Sequence, residues 1–516
     1  MQQSQSKQQV GGILGFIERI GNKIPDITIL FISAFLLVCV VSAVLAQIHF
    51  NYVHPATGRP IEITNMLSGK ALVDLMSKMV TNYANFPPLS MVIVATLGIG
   101  IADGSGYINT GLKKILSITP KVLITPVVIL VGMLSHLGPD SGYVIIIPIA
   151  AHMFYAVGKH PLAGIAASFA GIAGAFAANY TPSAIDPVIQ GFTQSAAQII
   201  DPGYQVNVLC NYFYAFASTF IVIGACWWVT EKITNPWLWK ACPLDDDLDL
   251  GNENNSSITP SENRAFKIAT AVLLLMLTGL AAALYPADSI LRAPDGVIAS
   301  FKAPIMQSIV SLIFIFAALV GLVYGIACGK FKSPKDVTAA MEEITKTLVQ
   351  LIVFYFFAAQ FLYAFGASNM GALIAVSGAE FLKSLNLPPQ VTVFGIIVFV
   401  ALLNLIITSA SAKWAILAPI FVPMLMAVGI APELTQVAFR VSDSAVNVVT
   451  PMFAFYPLII LYCQKYVKNA GIGTLSSMML PYTIALLVSL TFMLYLFWWL
   501  DIPLGFQADY VYPRRF

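Results

Sequence analysis

The stretch FRVSDSAVNVVTPM (439–452) carries three polar groups able to do chemistry inside an apolar run. Arg440 and Asp443 are three residues apart and Asn447 lies four further on, so on a helix all three share one face. An ionised side chain at the bilayer centre costs at least about 2.5–3.5 kcal/mol on insertion scales, so it normally faces a partner or a cavity. Two readings stand. Arg440 and Asp443 form a structural pair that holds a bundle, or they divide the work. In the second reading the planar guanidinium of Arg440 recognises a carboxylate. Asp443 then binds Na⁺ or carries a proton, and Asn404 either adds a neutral oxygen to the same ion or bonds a neighbouring helix.

More such groups sit nearby. SASAKWAILAPIFVP (409–423) places Lys413 in a second apolar run, where it neutralises an anionic substrate or pairs with Asp443 when the ion site is empty. Trp414 offers a flat apolar face and one N–H donor to an aromatic ring, or packs in the core or at an interface. Asp186, between Ile185 and Pro187, is a proton relay, a far-side counterpart of Asp443, or an interfacial loop residue. His136 and Asp140 lie in SHLGPDSG (135–142), where the Asp caps a short helix or binds an ion. Asp103 in IADGSGY marks a turn at a span end.

These groups need a scaffold at membrane depth. The 516 residues are 58% hydrophobic with a mean hydropathy of +0.81. Only 10% are charged, against about 25% in a soluble domain. Apolar runs of about 20 residues recur, which predicts an all-α polytopic membrane protein. No basic run interleaved with aromatics points to nucleic acid, and the six cysteines read as small buried hydrophobes. No cleavable signal peptide is expected, since the first apolar run begins near Ile27 behind a polar segment.

Nine spans are expected, at about 27–47, 88–105, 161–180, 208–230, 266–285, 304–328, 350–368, 432–455 and 478–501. Two further stretches, about 122–157 and 390–430, are too long for one span and are interrupted at 135–142 and 408–413. They read as re-entrant hairpins, because non-helical backbone at membrane depth needs protein or a water-filled cavity around it. The spans after them break near Thr181-Pro182 and Thr450-Pro451. Such breaks free carbonyls, which suit Na⁺, and helix N-termini, which suit carboxylates.

At an offset of 271 residues, Pro148, Ile149, Met153, Ala156, Val157, Gly158 and Pro161 repeat as Pro419, Ile420, Met424, Ala427, Val428, Gly429 and Pro432. An odd number of spans separates the hairpins, so the repeats are inverted. With the N-terminus inside, 17 Lys and Arg fall on the cytoplasmic side and 8 outside. The expected organisation is a cytoplasmic N-terminus (1–26), a first half (27–230), a cytoplasmic loop (231–265), a second half (266–501) and an extracytoplasmic C-terminus (502–516). The loop contains the solvated run CPLDDDLDLGNENNSSITPSEN, and 337–349 reads as an interfacial helix.

SASAKWAILAPIFVPM (409–424) and FRVSDS (439–444), with ERIGNK (18–23), AVGKHPLAG (156–164) and ILAPIFVPM (416–424), resemble the AbgT family of p-aminobenzoyl-glutamate transporters over nearly the whole chain. The resemblance implies a homodimer in the bacterial inner membrane. Each protomer would have nine spans and two opposed hairpins, a fold related to the divalent-anion:Na⁺ symporters. The expected function is secondary transport of p-aminobenzoyl-glutamate-like aromatic dicarboxylates coupled to Na⁺ or H⁺, with no cofactor and Na⁺ as the expected coupling ion. Proton-driven efflux of sulfonamides is the alternative. By the resemblance, Ser411, Trp414, Pro432, Arg440 and Asp186 fall on functional positions, Pro451 on its following proline, and Asn404 and Asp443 on a sodium site. Lys413 stands where this family is expected to be apolar, and GPD (138–140) where small hydroxyl residues are expected before the Asp. Inverted repeats with broken helices favour alternating access over a channel. The absence of HExxH, GxSxG and paired intramembrane Asp at hydrolase spacing argues against an enzyme.

Overall fold

The computed structural model describes residues 26–53, 58–135, 141–174, 176–183, 185–245, 258–300 and 302–513. The N-terminal segment, the first hairpin tip with His136 and Asp140, and the centre of the acidic loop lie outside the described residues. The described chain is helical, with two isolated β-bridges, Val53 with Pro60 and Ile430 with Val511.

Among the described residues, seven helices are long and apolar enough to cross a membrane: Ile27–Leu45, Gly69–Ser105, Tyr212–Ala241, Pro260–Leu284, Ile309–Ala327, Val349–Ala367 and Ile472–Trp499. The remaining two expected spans are broken helices. Pro161–Ala173 resumes after the break as Ile185–Ala197, and Pro432–Val446 resumes as Tyr456–Gln464. The first break holds Thr181 and Pro182, the second Thr450 and Pro451.

Each long interrupted stretch is a pair of short helices. Ile124–Leu134 and Ser141–Ala156 form the first hairpin, and Pro389–Asn404 and Ala410–Met426 the second. The helix Met370–Ser384 meets the second hairpin's inbound arm at a bend of 116°. Helix Pro334–Lys346 occupies the position of the expected interfacial helix.

The repeat seen in sequence is also a repeat of hydrogen bonds. At the end of the first hairpin, Gly158 N–H donates to the Tyr155 carbonyl and Lys159 N–H to that of Phe154. At the second, Gly429 donates to Met426 and Ile430 to Leu425, the same pattern 271 residues on. This is the C-terminal motif that needs a left-handed residue. Gly158 and Gly429 supply it with φ of 77° and 88°. Pro161 and Pro432 then open the next helices at the position where a missing N–H costs nothing.

The two repeats form the interior. Every residue of Pro161–Ala173 and of Pro432–Val446 is buried. By contrast Pro260–Leu284 buries only Ala265 and Ala269, and its Leu274 and Leu275 lie exposed on a face suited to lipid. The protein therefore surrounds the half-helices that lead into the two breaks, as irregular backbone at membrane depth requires. Of the six cysteines, all unbridged, four are buried and Cys242 and Cys328 partly so.

Candidate functional site

The hairpins and breaks converge on a cavity of about 300 Å³. Tyr143 reaches it from the first hairpin, Phe176 from the first break, and Phe453 and Phe455 from the second break. Tyr143 and Phe455 stack with centroids 4.2 Å apart. The polar wall comes from Thr408, Ser409, Asp443 and Asn447. Ser409 caps the outbound arm Ala410–Met426, accepting from the Ala412 N–H at 3.4 Å. The positive end of that helix therefore sits at the cavity wall, an arrangement that suits an anionic group.

Beneath the wall lies a closed polar network. The Lys413 ammonium is wholly buried, 2.5 Å from Asp443 Oδ1. It donates to Asn404 Oδ1 and, at 3.1 Å, to the Ile407 carbonyl. The Asn404 amide donates to the Asp443 carbonyl (2.9 Å) and to Asn447 Oδ1 (3.1 Å). The Asn447 amide donates to Asp443 Oδ2 at 3.0 Å. The local backbone explains this geometry. The inbound arm ends at Asn404, 405–409 is unwound, and Lys413 lies one turn into the outbound arm. Its side chain reaches back to the C-terminal end of the inbound arm, where carbonyls carry partial negative charge.

The Arg440–Asp443 pair that the spacing invites is not formed. Arg440 reaches across to the first repeat, donating to Asp186 Oδ1 at 2.8 Å and to the Phe176 carbonyl at 2.9 Å. Asp186 is the second residue of Ile185–Ala197, and its other oxygen accepts from Ser183 N–H (2.8 Å) and Oγ (3.0 Å). Ala177 N–H donates to Ser444 Oγ at 2.5 Å, a second stitch between the first break and the second half-helix. Arg440 and Asp186 line a separate small pocket with Asn179, Thr181 and Tyr212.

Trp414 packs rather than lines the large cavity. It stacks on Phe439 at 4.5 Å, and its indole donates to Thr193 Oγ1 at 2.9 Å. Ser411 and Pro432 are buried and also stand outside the cavity lining. The structure thus brings Lys413, Asn404 and Asp443 together, sets Arg440 with Asp186, and separates Trp414, Ser411 and Pro432 from both.

Sequence reasoning missed the four cavity aromatics and one carboxylate. Glu433, wholly buried in the first turn after Pro432, accepts from the Tyr204 hydroxyl at 2.9 Å. A charge inside GIAPELTQVAF was the available signal.

The sequence model of the AbgT transporter family matches residues 12–512. The chain belongs to the AbgT family. It is 32% identical over 511 residues to the p-aminobenzoyl-glutamate transport protein of Escherichia coli (strain K12), covering 99% of this chain and 98% of that one. Two solved structures share its fold. The Alcanivorax borkumensis YdaH transporter superposes with a TM-score of 0.87 at 37% identity, over 93% of this chain and 100% of that one. Neisseria gonorrhoeae MtrF, described as illuminating a class of antimetabolite efflux pumps, superposes with a TM-score of 0.90 at 39% identity, over 96% of this chain and 100% of its own. This AbgT member is therefore a multi-pass membrane transporter.

The sodium that the resemblance assigns to Asn404 and Asp443 does not fit this AbgT site as built. Asn404 Oδ1 and Asp443 Oδ1 already face the Lys413 ammonium, and Asp443 Oδ2 is taken by Asn447. Among the described residues no group of three or more His, Cys, Asp or Glu side chains could hold a metal ion.

Proposed function

We propose that this chain is a secondary active transporter of p-aminobenzoyl-glutamate-like aromatic dicarboxylates. It works by alternating access on an ion gradient and catalyses no covalent reaction. The same reading gives a homodimer in the bacterial inner membrane with its N-terminus in the cytoplasm. The observation that carries the proposal is the cavity between the hairpins and the breaks. Four aromatic side chains offer faces to a benzoyl ring. The N-terminus of the outbound arm at Ser409 offers backbone donors to a carboxylate. Inverted-repeat transporters place their substrates at such a position. The relative from Escherichia coli, matched over nearly its full length, supports the substrate class.

A second reading, proton-driven efflux of sulfonamides and related antimetabolites, is favoured by the 39% identity to MtrF. Transport of labelled p-aminobenzoyl-glutamate into proteoliposomes, under imposed ion gradients, separates the two. Saturable accumulation is expected. No accumulation, with exchange of a sulfonamide against protons, would favour efflux, and a large single-channel current would defeat both.

A further inference from the structure

A monovalent cation held inside a membrane protein needs hard oxygen ligands, a compensating negative charge and shelter from lipid. The Lys413 ammonium has all three. A carboxylate, an amide oxygen and a backbone carbonyl surround it, from Asp443, Asn404 and Ile407. One of these, the Ile407 carbonyl, lies at the unwound hairpin tip, where freed carbonyls suit a cation. The Phe439 ring closes another side, with its centroid 5.8 Å from Nζ. Both charged partners are wholly buried, so bulk water screens neither. The counter-ion, Asp443, also lines the large cavity with Asn447. The positive charge therefore stands one residue behind the proposed substrate wall and is covalently fixed to the hairpin.

We propose that the Lys413 ammonium is a tethered replacement for a coupling sodium ion, so that this chain's transport cycle neither binds nor requires sodium. A mobile ion must arrive to neutralise Asp443 before an anionic substrate can approach. A tethered one is always present. The transport half of the inference rests on the function proposed above; the sodium-binding half needs no substrate.

The test compares purified wild-type protein with Lys413→Ala and Lys413→Met. Radiolabelled sodium binding is measured, and thermal stability is followed in sodium chloride against choline chloride. Wild type is expected to bind no sodium and to show no sodium-specific stabilisation. Lys413→Ala vacates the oxygen cage and is expected to bind sodium saturably and gain stability with sodium but not choline. A merely structural lysine would give no such ion-specific rescue. In proteoliposomes, wild-type transport should stay within about twofold when choline replaces sodium, while that of Lys413→Ala should fall at least about tenfold. Sodium binding by the wild type, or a tenfold loss of its transport in choline, overturns the proposal. So does a folded Lys413→Ala that binds no sodium. If neither variant folds, the wild-type measurements decide alone. Wild type that moves no substrate but binds no sodium would sink the function proposed above and leave this inference standing.

Discussion

The two buried ion pairs among the described residues are built on different plans. Lys413–Asp443 lies within the second repeat, with both side chains fully enclosed. Arg440–Asp186 spans 254 residues and ties the second repeat to the first, with the Asp186 side chain 12% exposed. A pair inside one repeat moves with it as a unit. A pair between repeats has to rearrange when one repeat rocks against the other, which is how inverted-repeat carriers alternate access. On the alternating-access reading proposed above, the first pair would hold a charge within one repeat and the second would stand where the repeats move against each other.

The largest effect is expected at the enclosed pair. Asp443→Asn leaves an ammonium buried without its counter-ion, and breaking such a pair typically costs about 3–5 kcal/mol. Chemical denaturation should register that loss, and Lys413→Met added to Asp443→Asn should recover most of it. Wild-type stability in Asp443→Asn would erase the distinction between the pairs.

Asp186→Asn keeps the side-chain shape and its place beside Ser183. Its stability loss should be less than half that of Asp443→Asn, with transport reduced by at least about tenfold. Equal stability losses at the two aspartates would show that Asp186 is a static strut as well.

The repeats themselves can be compared at Gly158 and Gly429. Alanine at either forces an L-residue into the left-handed region, at about 1–2 kcal/mol. Thermal melts should show matching losses, since the two motifs share their hydrogen bonds. A large inequality would mean that the hairpin ends are not equivalent. Smallest is Trp414→Phe, which keeps the stack on Phe439 and drops the bond to Thr193. About 0.5–1.5 kcal/mol should go, with the transport KM unchanged. A raised KM would return Trp414 to the substrate wall.

Much of the fold was legible because membrane helices follow from run length and because the repeat preserves glycine and proline at matching turns. Residues 122–157 and 390–430 were too long for single spans, and each forms two short helices in the structure. The site was legible in its members more than in its pairings. Asn404, Lys413 and Asp443 announced themselves as polar groups in apolar runs. The i,i+3 spacing of Arg440 and Asp443 suggested a bond that does not form, because Phe176 and Asp186 offer Arg440 better-placed oxygens from a segment far away in sequence. No local pattern encodes that contact. The cavity aromatics escaped for a different reason. Tyr143, Phe176, Phe453 and Phe455 look like ordinary residues of apolar runs until the first hairpin and the two breaks bring them to one cavity.

A cryo-EM map of the protein with p-aminobenzoyl-glutamate bound would locate the substrate. Density for the ring is expected against Tyr143, Phe176, Phe453 and Phe455, with a carboxylate at the Ser409 end of the outbound arm. Density lodged instead between Arg440 and Trp414, with the cavity empty, would contradict it.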